Sequence, residues 1–342
     1  MQLPKNQKIF WISLFGFSSI LYMVVSMNKF KPSVVPIFPP PESEMTEFCS
    51  ATNTTSPSSN LPTVYFITPT YPRREQIAEL TRLGQTLLLA RNIHWIIAED
   101  SSFCSPMISD LLKRLKIPFT HLVSPQPLMY KKAKLRYNPR GVSSRRAGLH
   151  WVLENVQTGV VYFGDDDNTY DIRLFKQISR TRTVSMFPVG FIGTQGVSTP
   201  IVKNGKVVGF SDDWFAQRKF PVDMAGFAIN IEFMRKRNPK ADIAMPYKAG
   251  YEEDFFLQNL HIKLEDIEPM ANQCTEILVW HTKTVKGKKA NLLLEEDDNE
   301  FPSNLKKLLN FVSFNGMGDI HNADGKKMKT CFDLHQCKTG KN

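Results

Sequence analysis

The sequence predicts an α/β protein with a mostly parallel sheet flanked by helices, behind a single N-terminal transmembrane helix. Short apolar runs alternate with segments of helical periodicity from about residue 62 onward, and a longer uncharged apolar run precedes them. Hydrophobic residues make up 42% of the 342 residues and charged residues 22%, which excludes a wholly disordered chain and a membrane protein with many spans. The length suits one large domain or two ordinary ones.

The predicted strands are short runs rich in β-branched and aromatic residues, at residues 63–68, 94–98, 119–123 and 160–163. Between and beyond them, apolar residues recur every three or four positions and predict helices at residues 74–90, 108–115, 143–155 and 305–312. Strands that alternate with helices form parallel sheets that are covered on both faces.

Polar residues follow three of these strands. Pro69–Arg73 follow the first strand, Glu99 and Asp100 the second, and Asp165–Asp167 the last. Because open α/β sheets bind ligands beyond the carboxyl ends of their strands, we expect these segments to meet in one site.

Residues 9–27 carry no charge and predict a membrane anchor. At ~1.5 Å per residue a helix of this length spans roughly 28 Å, about the hydrocarbon thickness of a bilayer. A cleaved signal peptide is the alternative, but its apolar region is usually ~7–15 residues long and precedes a small-residue cleavage site that this sequence lacks. Two lysines on each side leave the orientation undecided by charge. A short tail, residues 1–8, and a folded domain after the anchor predict a single-pass type II protein with a lumenal domain.

Residues 28–61 are rich in proline, serine and threonine, which predicts an extended stem. The stem holds an N-glycosylation sequon at Asn53, a pattern that is common by chance and has meaning only in a secretory lumen. No two of the five cysteines form a Cys-x-x-Cys pair, so neither a zinc site nor a thioredoxin-type motif is indicated. Cys331 and Cys337 are candidates for a small disulfide loop. Cys49 is a candidate for a bond between two chains of a homodimer, with a free or buried thiol as the alternative.

The 43 Lys and Arg residues exceed the 33 Asp and Glu residues by ten, which indicates an anionic partner. Residues 131–146 contain seven of these cations. Behind a membrane anchor such a run does not indicate nucleic acid, and a solvated basic helix is its simplest explanation. Arg140 and Arg145 flank a predicted helix start, where unpaired N–H groups and the helix dipole favour anions.

Asp165–Asp167 repel one another and need a compensating cation. Mg²⁺ and Mn²⁺ prefer oxygen ligands and leave room for substrate phosphates, so an acidic strand end suits a metal–diphosphate complex. An acidic turn or a helix cap is the alternative. The apolar strand before the aspartates favours the metal site.

Together these motifs resemble the β-1,3-glucuronosyltransferases, which transfer glucuronic acid from UDP-glucuronate to a terminal galactose. The matching segments are residues 69–73, 99–100, 140–145, 163–170, 205–210, 220–228 and 278–282. The resemblance implies a Golgi enzyme with a GT-A fold and a catalytic domain at residues 62–285. The donor-binding half would span residues 62–170 and the acceptor-binding half residues 171–285. Residues 286–342 form a divergent C-terminal extension.

The resemblance implies a set of donor-binding residues: Pro69, Tyr71, Asp100, Arg140, Arg145, Asp165, Asp166 and His281. It further implies that Asp167 ligates Mn²⁺ and that Glu253 is the catalytic base. Arg218 and Asp223 fall where the family holds the donor glucuronate and the acceptor sugars. In an inverting transfer a carboxylate takes the proton of the acceptor hydroxyl, while Mn²⁺ and cationic side chains stabilise the departing UDP.

Three positions leave alternatives open. Glu252 is the alternative base, because a shift of one residue in the match exchanges it with Glu253. Ser198 occupies a position where the family has an acceptor-binding glutamate, and Lys283 one where arginine is expected. The proteoglycan linkage region is the first expected acceptor. The departures leave open another galactoside on a glycoprotein or glycolipid, or a catalytically silent lumenal binding protein.

Overall fold

The computed structural model of the protein describes residues 46–52, 61–128, 130, 139–214, 216–243, 248–285, 287, 290–293, 304–314, 316–321 and 325–326. The predicted tail, anchor, most of the stem with Asn53, and Cys331 and Cys337 lie outside these residues. Within the described ranges, no helix is long and apolar enough to cross a membrane.

The strands, numbered along the chain, are β1 (Glu47–Ala51), β2 (Val64–Thr70), β3 (Ile93–Glu99), β4 (Phe119–Val123), β5 (Val160–Phe163), β6 (Thr169–Tyr170), β7 (Val184–Met186), β8 (Val189–Gly190), β9 (Val197–Lys203), β10 (Lys206–Ser211), β11 (Phe227–Asn230), β12 (Ile267–Pro269), β13 (Val279–Trp280), β14 (Ala290–Leu293) and β15 (Gly318–His321). The α-helices are α1 (Gln76–Leu87), α2 (Pro106–Leu115), α3 (Val142–Asn155), α4 (Arg173–Ile178), α5 (Ile231–Arg237), α6 (Glu252–Asn259) and α7 (Asn304–Phe314).

The larger sheet has eight strands in the order β1-β4-β3-β2-β5-β11-β7-β12. The four strands predicted from sequence, β2 to β5, are parallel to one another. β1 is antiparallel to β4, and β11 is antiparallel to both β5 and β7. β12 is parallel to β7. The sheet is therefore mixed: the prediction of a mostly parallel sheet holds for β2 to β5 and for the β7–β12 pair, but not for β1 and β11.

Helices cover both faces of this sheet, which is why its central strands are continuous apolar runs. On one face, Ile67 and Phe163 pack in a buried cluster with α3. On the other face, Phe66 and Trp95 pack in a cluster with α1 and α2. α3 lies so close to β2 that a Cβ atom on Gly148 would be 2.6 Å from Ile67 Cγ2. This packing fixes the carboxyl ends of β2, β3 and β5 relative to the start of α3.

A second sheet has the order β10-β9-β8-β13-β6, and its strands alternate along the chain with β7, β11 and β12 of the first sheet. β13 pairs with β6 antiparallel, with Trp280 opposite Thr169. This pairing places the residue after β13, His281, beside the segment that follows the aspartates. The link from β12 to β13 is a left-handed helical turn in which residues 271–274 all have φ between 52° and 61°. Such a conformation costs roughly 1–2 kcal/mol per residue.

The N-terminal boundary differs from the prediction. Residues 47–51 belong to the predicted stem but form β1, because their backbone pairs with the edge strand β4. This pairing brings Cys49 to Cys104, and the two form a disulfide within the chain. The prediction that Cys49 links two chains is therefore wrong. Cys274 is a free cysteine, and burial raises its pKa to about 11.

The C-terminal extension contains ordered structure. α7 covers the predicted helix at residues 305–312 and extends it at both ends. β14 and β15 pair in parallel on either side of α7 in a separate two-stranded sheet.

Candidate active site

The three consecutive aspartates at the end of β5 have different partners. Asp166 is buried and accepts hydrogen bonds from Arg73 Nη1 and Nη2 at 2.8 and 2.7 Å and from Thr70 Oγ1 at 2.7 Å. Burial raises the pKa of this carboxyl, and Arg73 and Thr70 offset part of the rise. Asp166 therefore ties the end of β2 to the end of β5, and both of its carboxylate oxygens are used for that.

Asp165 pairs with the guanidinium of Arg145, which comes from the first turns of α3. Burial opposes the charge of Arg145, but Asp165, then Glu253 and Glu252, raise its pKa above the usual value. The Asp165 carbonyl accepts a hydrogen bond from the Tyr170 hydroxyl at 2.9 Å. Asp165 thus holds a buried cation between the aspartates and the candidate base.

Asp167 has no arginine partner for its carboxylate among the ion pairs and hydrogen bonds of the described residues. Its Oδ2 accepts from the Thr284 backbone N–H at 3.2 Å, and its carbonyl accepts from Arg82 and Thr282. No group of three or more His, Cys, Asp or Glu side chains in the described ranges can hold a metal by itself. Mg²⁺ and Mn²⁺ do not need one, since one or two carboxylates plus substrate phosphates commonly suffice. Asp167 therefore fits a metal ligand that works together with a diphosphate.

The end of β2, the loop after it and the start of α3 bring together three predicted donor-site residues, Pro69, Tyr71 and Arg140. The guanidinium carbons of Arg73 and Arg140 lie 4.8 and 5.6 Å from the centroid of the Tyr71 ring. A Cβ atom on Gly141 would lie 3.1 Å from Pro69 Cβ, and Gly141 has a φ of 74°. Glycine is needed there both for the backbone conformation and for the close approach. An aromatic ring flanked by two cations suits an anionic nucleotide.

Asp100 joins the loops that follow β2, β3 and β4. Its N–H donates to the Thr70 carbonyl at 2.8 Å, and its Oδ1 accepts from the Gln126 N–H at 2.7 Å. The structure therefore brings the predicted residues Pro69, Tyr71 and Asp100 to one end of the sheet, as expected from its parallel centre.

Glu253 lies in the first turn of α6 and is partly buried. Burial, followed by the negative charges of Glu252 and Asp223, raises its pKa to about 8. Arg145 acts in the opposite direction. A base whose pKa lies near the working pH is efficient, because it is both available and strong.

Asp223 and His281 form an ion pair, with Nδ1 and Oδ2 3.1 Å apart. Burial opposes the charge of Asp223, but hydrogen bonding and the charges of His281 and Arg145 lower its pKa overall. Hydrogen bonding to Asp223 raises the pKa of His281 against the effect of burial. Asp223 also caps the 3₁₀ turn Met224–Gly226 by accepting from the Ala225 N–H at 2.9 Å. The pair connects β13 to the segment that precedes β11.

Arg218 lies nearby, but the protein itself satisfies its guanidinium. Its side chain is 5% exposed and pairs with Asp212 at 2.9 Å. Nε donates to the Trp214 carbonyl at 3.1 Å, and Nη1 to the Val222 carbonyl at 3.4 Å. The guanidinium carbon lies 4.6 Å from the centroid of the Trp214 ring. In this structure Arg218 supports the Trp214 loop rather than presenting its cation to a sugar.

Sequence reasoning missed an aromatic surface beside the candidate base. Trp214 is 47% exposed and contacts Tyr251 edge to face at 5.4 Å, and Tyr251 stacks on Phe255 at 5.5 Å. Lys248 Nζ lies 3.6 Å from the Tyr251 ring centroid. A Cβ atom on Gly250 would lie 2.4 Å from the Trp214 ring. The sequence indicates this surface only by proximity: Trp214 lies close to Arg218, and Tyr251 and Phe255 lie close to Glu253.

The two departures from the family pattern lie in different surroundings. Ser198 is 2% exposed in β9, opposite Val189 of β8. Its hydroxyl therefore does not face a sugar at the surface. Lys283 is exposed two residues after His281.

Comparison with known proteins gives matches over most of the chain. Residues 83–285 match the family described as Glycosyltransferase family 43. A Drosophila melanogaster protein, galactosylgalactosylxylosylprotein 3-beta-glucuronosyltransferase S, is 50% identical over 267 residues, which cover 78% of this chain and 64% of that protein. The human galactosylgalactosylxylosylprotein 3-beta-glucuronosyltransferase 2 is 44% identical over 237 residues, which cover 68% of this chain and 72% of that protein.

The chain covers only part of the length of some relatives, 64% of that Drosophila protein and 48% of a second one, galactosylgalactosylxylosylprotein 3-beta-glucuronosyltransferase P. Among solved structures, that of residues 1–349 of S. aureus TarS is similar, and the alignment covers 64% of this chain and 60% of the TarS chain. The identity is 14% and the TM-score 0.42, and we infer no function from this similarity.

Proposed function

The chain belongs to glycosyltransferase family 43, and from that premise we propose that it is an inverting β-1,3-glucuronosyltransferase with a GT-A fold. The donor is UDP-glucuronate, and the acceptor is the 3-hydroxyl of a terminal galactose in the linkage region of proteoglycans. One observation carries the proposal: a single electrostatically coupled cluster lies beside Asp167 at the carboxyl ends of the sheet. The cluster consists of Arg145, Asp165, Asp223, Glu253 and His281.

In the proposed reaction, the oxygen of the acceptor hydroxyl attacks the anomeric carbon of the glucuronate. The bond from that carbon to the UDP oxygen breaks on the opposite side, which inverts the configuration. The Glu253 carboxylate takes the proton of the hydroxyl. UDP leaves with the bonding electron pair, and Arg145 and His281 stabilise its negative charge. Tyr71 and Asp100 hold the uridine.

We include Mn²⁺ as the cofactor, held by Asp167 together with the donor diphosphate. When bound, the ion neutralises charge that develops on the leaving group. Asp165 and Asp166 contribute by fixing Arg145 and Arg73 around the diphosphate. The proposal extends to a Golgi protein anchored through residues 9–27 with a lumenal catalytic domain, and to a homodimer that does not use Cys49.

The test is transfer by the purified full chain from UDP-glucuronate to Gal-Gal-Xyl, with and without Mn²⁺. We expect transfer only with the metal, and we expect Asp167→Ala to abolish it. Asp171→Ala is the control, because Asp171 lies just beyond the same loop but pairs with Arg173. Full activity of Asp167→Ala would overturn the metal assignment. UDP binding without turnover by the unmodified chain would instead favour a silent binding protein.

A second candidate is the same chemistry on a different galactoside. Its support is Ser198, which is buried where the family resemblance leads us to expect an acceptor-binding glutamate. A panel of glycoprotein and glycolipid galactosides in the same assay separates the two. Transfer to one of them, with none to Gal-Gal-Xyl, would favour this candidate.

A further inference from the structure

The disulfide between Cys49 and Cys104 joins the edge of the larger sheet to a loop beside the proposed nucleotide pocket. Cys49 lies at a β-bulge in β1, where the register with β4 shifts between Phe48 and Ser50. A bulge re-aims one side chain away from the regular alternation of the strand. Cys104 lies in the loop at residues 100–105, between β3 and α2. The bulge thus coincides with the residue whose side chain is bonded to this loop.

Asp100, at the start of this loop, is bonded to Thr70 and Gln126, whereas the hydrogen bonds of residues 101–105 tie that part of the loop to itself and to β3. The Ser101 N–H donates to the Glu99 carbonyl at 2.8 Å, and the Ser105 N–H donates to Glu99 Oε2 at 3.3 Å. The disulfide instead ties the loop to a different strand, across a sequence separation of 55 residues. It therefore restrains the loop as a whole, while the hydrogen bonds shape it locally.

A buried polar chain connects the same loop to the aspartates. Glu99 is 2% exposed and receives the Ser105 N–H, and Gln76 Nε2 lies 3.5 Å from its other oxygen. Gln76 also donates to Thr70 Oγ1 at 3.2 Å, and Thr70 donates to Asp166. A buried carboxylate that loses a donor is costly, and neighbouring hydrogen bonds adjust to it. A shift of the loop would therefore reach Thr70 and Asp166.

We propose that the Cys49–Cys104 disulfide is a positioning element for the nucleotide half of the site. It holds the loop that begins at Asp100 and keeps the Ser105 N–H on Glu99, so that Asp100 and Asp166 are placed for the donor. The proposal depends on the proposed function in taking the pocket around Tyr71 and Asp100 as the UDP site. The acceptor side, around Trp214 and Glu253, is not part of this connection.

The test compares the full chain with its Cys49→Ser/Cys104→Ser variant, with Cys274→Ser as the matched control. Calorimetry measures UDP binding, and steady-state kinetics measure the KM of donor and acceptor separately. Loss of about one hydrogen bond's contribution predicts about fivefold weaker UDP binding and a similar rise in the donor KM. The acceptor KM and all values for Cys274→Ser should be unchanged.

Unchanged UDP affinity in a folded double variant, even with a lower melting temperature, would overturn the proposal, because the disulfide would then serve stability alone. Equal losses on the donor and acceptor sides would overturn it as well. Should the double variant not fold, the unmodified chain is reduced with a phosphine below its melting temperature, alkylated, and tested for UDP binding. Absence of UDP binding by the unmodified chain would count against the proposed function instead.

Discussion

Removing the Asp212 carboxylate should destabilise the protein, because the buried guanidinium of Arg218 then lacks its negative partner. Asp212 and Arg218 pair at 2.9 Å, and both side chains are only 5% exposed. Asp212 Oδ1 also accepts the Trp214 N–H at 2.8 Å. In Asp212→Ala the guanidinium stays buried, with the carbonyls of Trp214 and Val222 as its remaining hydrogen-bond partners.

Breaking a buried ion pair from one side costs about 3–5 kcal/mol, since the remaining charge is uncompensated. Two carbonyl acceptors remain here, so we expect a loss near 3 kcal/mol, the lower end of that range. At roughly 2–4 °C per kcal/mol for a domain of this size, the melting temperature should fall by about 6–12 °C. Removing both charges should cost less than removing one, because no unpaired ion remains.

The assay is urea and thermal unfolding of Asp212→Ala, Asp212→Ala/Arg218→Met and a surface control. Glu265→Ala is the control, because Glu265 and Lys263 pair at 3.5 Å with side chains 77% and 63% exposed. Exposed pairs contribute about 0–1 kcal/mol, so this variant should unfold like the unmodified protein. A loss in Asp212→Ala no larger than that of the control would refute the reasoning.

Three further predictions concern the pH response and the domain boundary. Glu253 keeps its proton in the folded state up to a pH of about 8 but loses it near 4.5 when unfolded, so its contribution to stability falls as the pH rises between those values. Glu253→Gln should therefore abolish transfer. In urea titrations its free energy of unfolding should fall less between pH 6 and pH 9 than that of the unmodified protein, and equal falls would contradict the assignment. The ion pair of His281 stabilises the folded state below a pH of about 6.5, and this contribution is lost as the pH rises through the raised pKa. An NMR titration of His281 should have a midpoint above 6.5 that drops in Asp223→Asn, and a midpoint at or below 6.5 in the unmodified chain would contradict it. A protein that begins at residue 62 lacks β1, so β4 becomes an open edge strand and Cys104 a free thiol. This protein should elute as aggregates on size exclusion, whereas one that begins at residue 46 should not.

The central strands were predictable because burial on both faces makes them continuous apolar runs. β4 and β5 have the predicted bounds, and β2 and β3 differ by one or two residues at each end. β1 was missed because its five residues follow a proline-rich stretch and are held by backbone pairing with β4 and by the disulfide to Cys104, neither of which local periodicity records. The two-residue strands β6, β8 and β13 exist only through pairing with distant segments, which local periodicity does not record.

The site was predictable as a group of residues but not in its internal division of roles. The sequence places Asp165, Asp166 and Asp167 together, and nothing local distinguishes them. Asp165 pairs with Arg145, and Asp166 pairs with Arg73, 93 positions away. Asp167 accepts a hydrogen bond from Thr284, in the loop after His281. The same holds for Arg218, whose predicted contact with a sugar was inferred without knowledge of its buried partner Asp212.

The position of Cys49 near the start of the described chain also determines how the domain would bear a mechanical load. A pull on the chain before residue 46 enters at β1, and an antiparallel edge strand can be peeled off one hydrogen bond at a time. The covalent link to Cys104 passes the load to the loop between β3 and α2 after only three residues of β1. β3 lies inside the sheet, with β4 and β2 hydrogen-bonded on either side. The disulfide therefore transfers a load from an edge strand to a segment that joins a strand held on both sides.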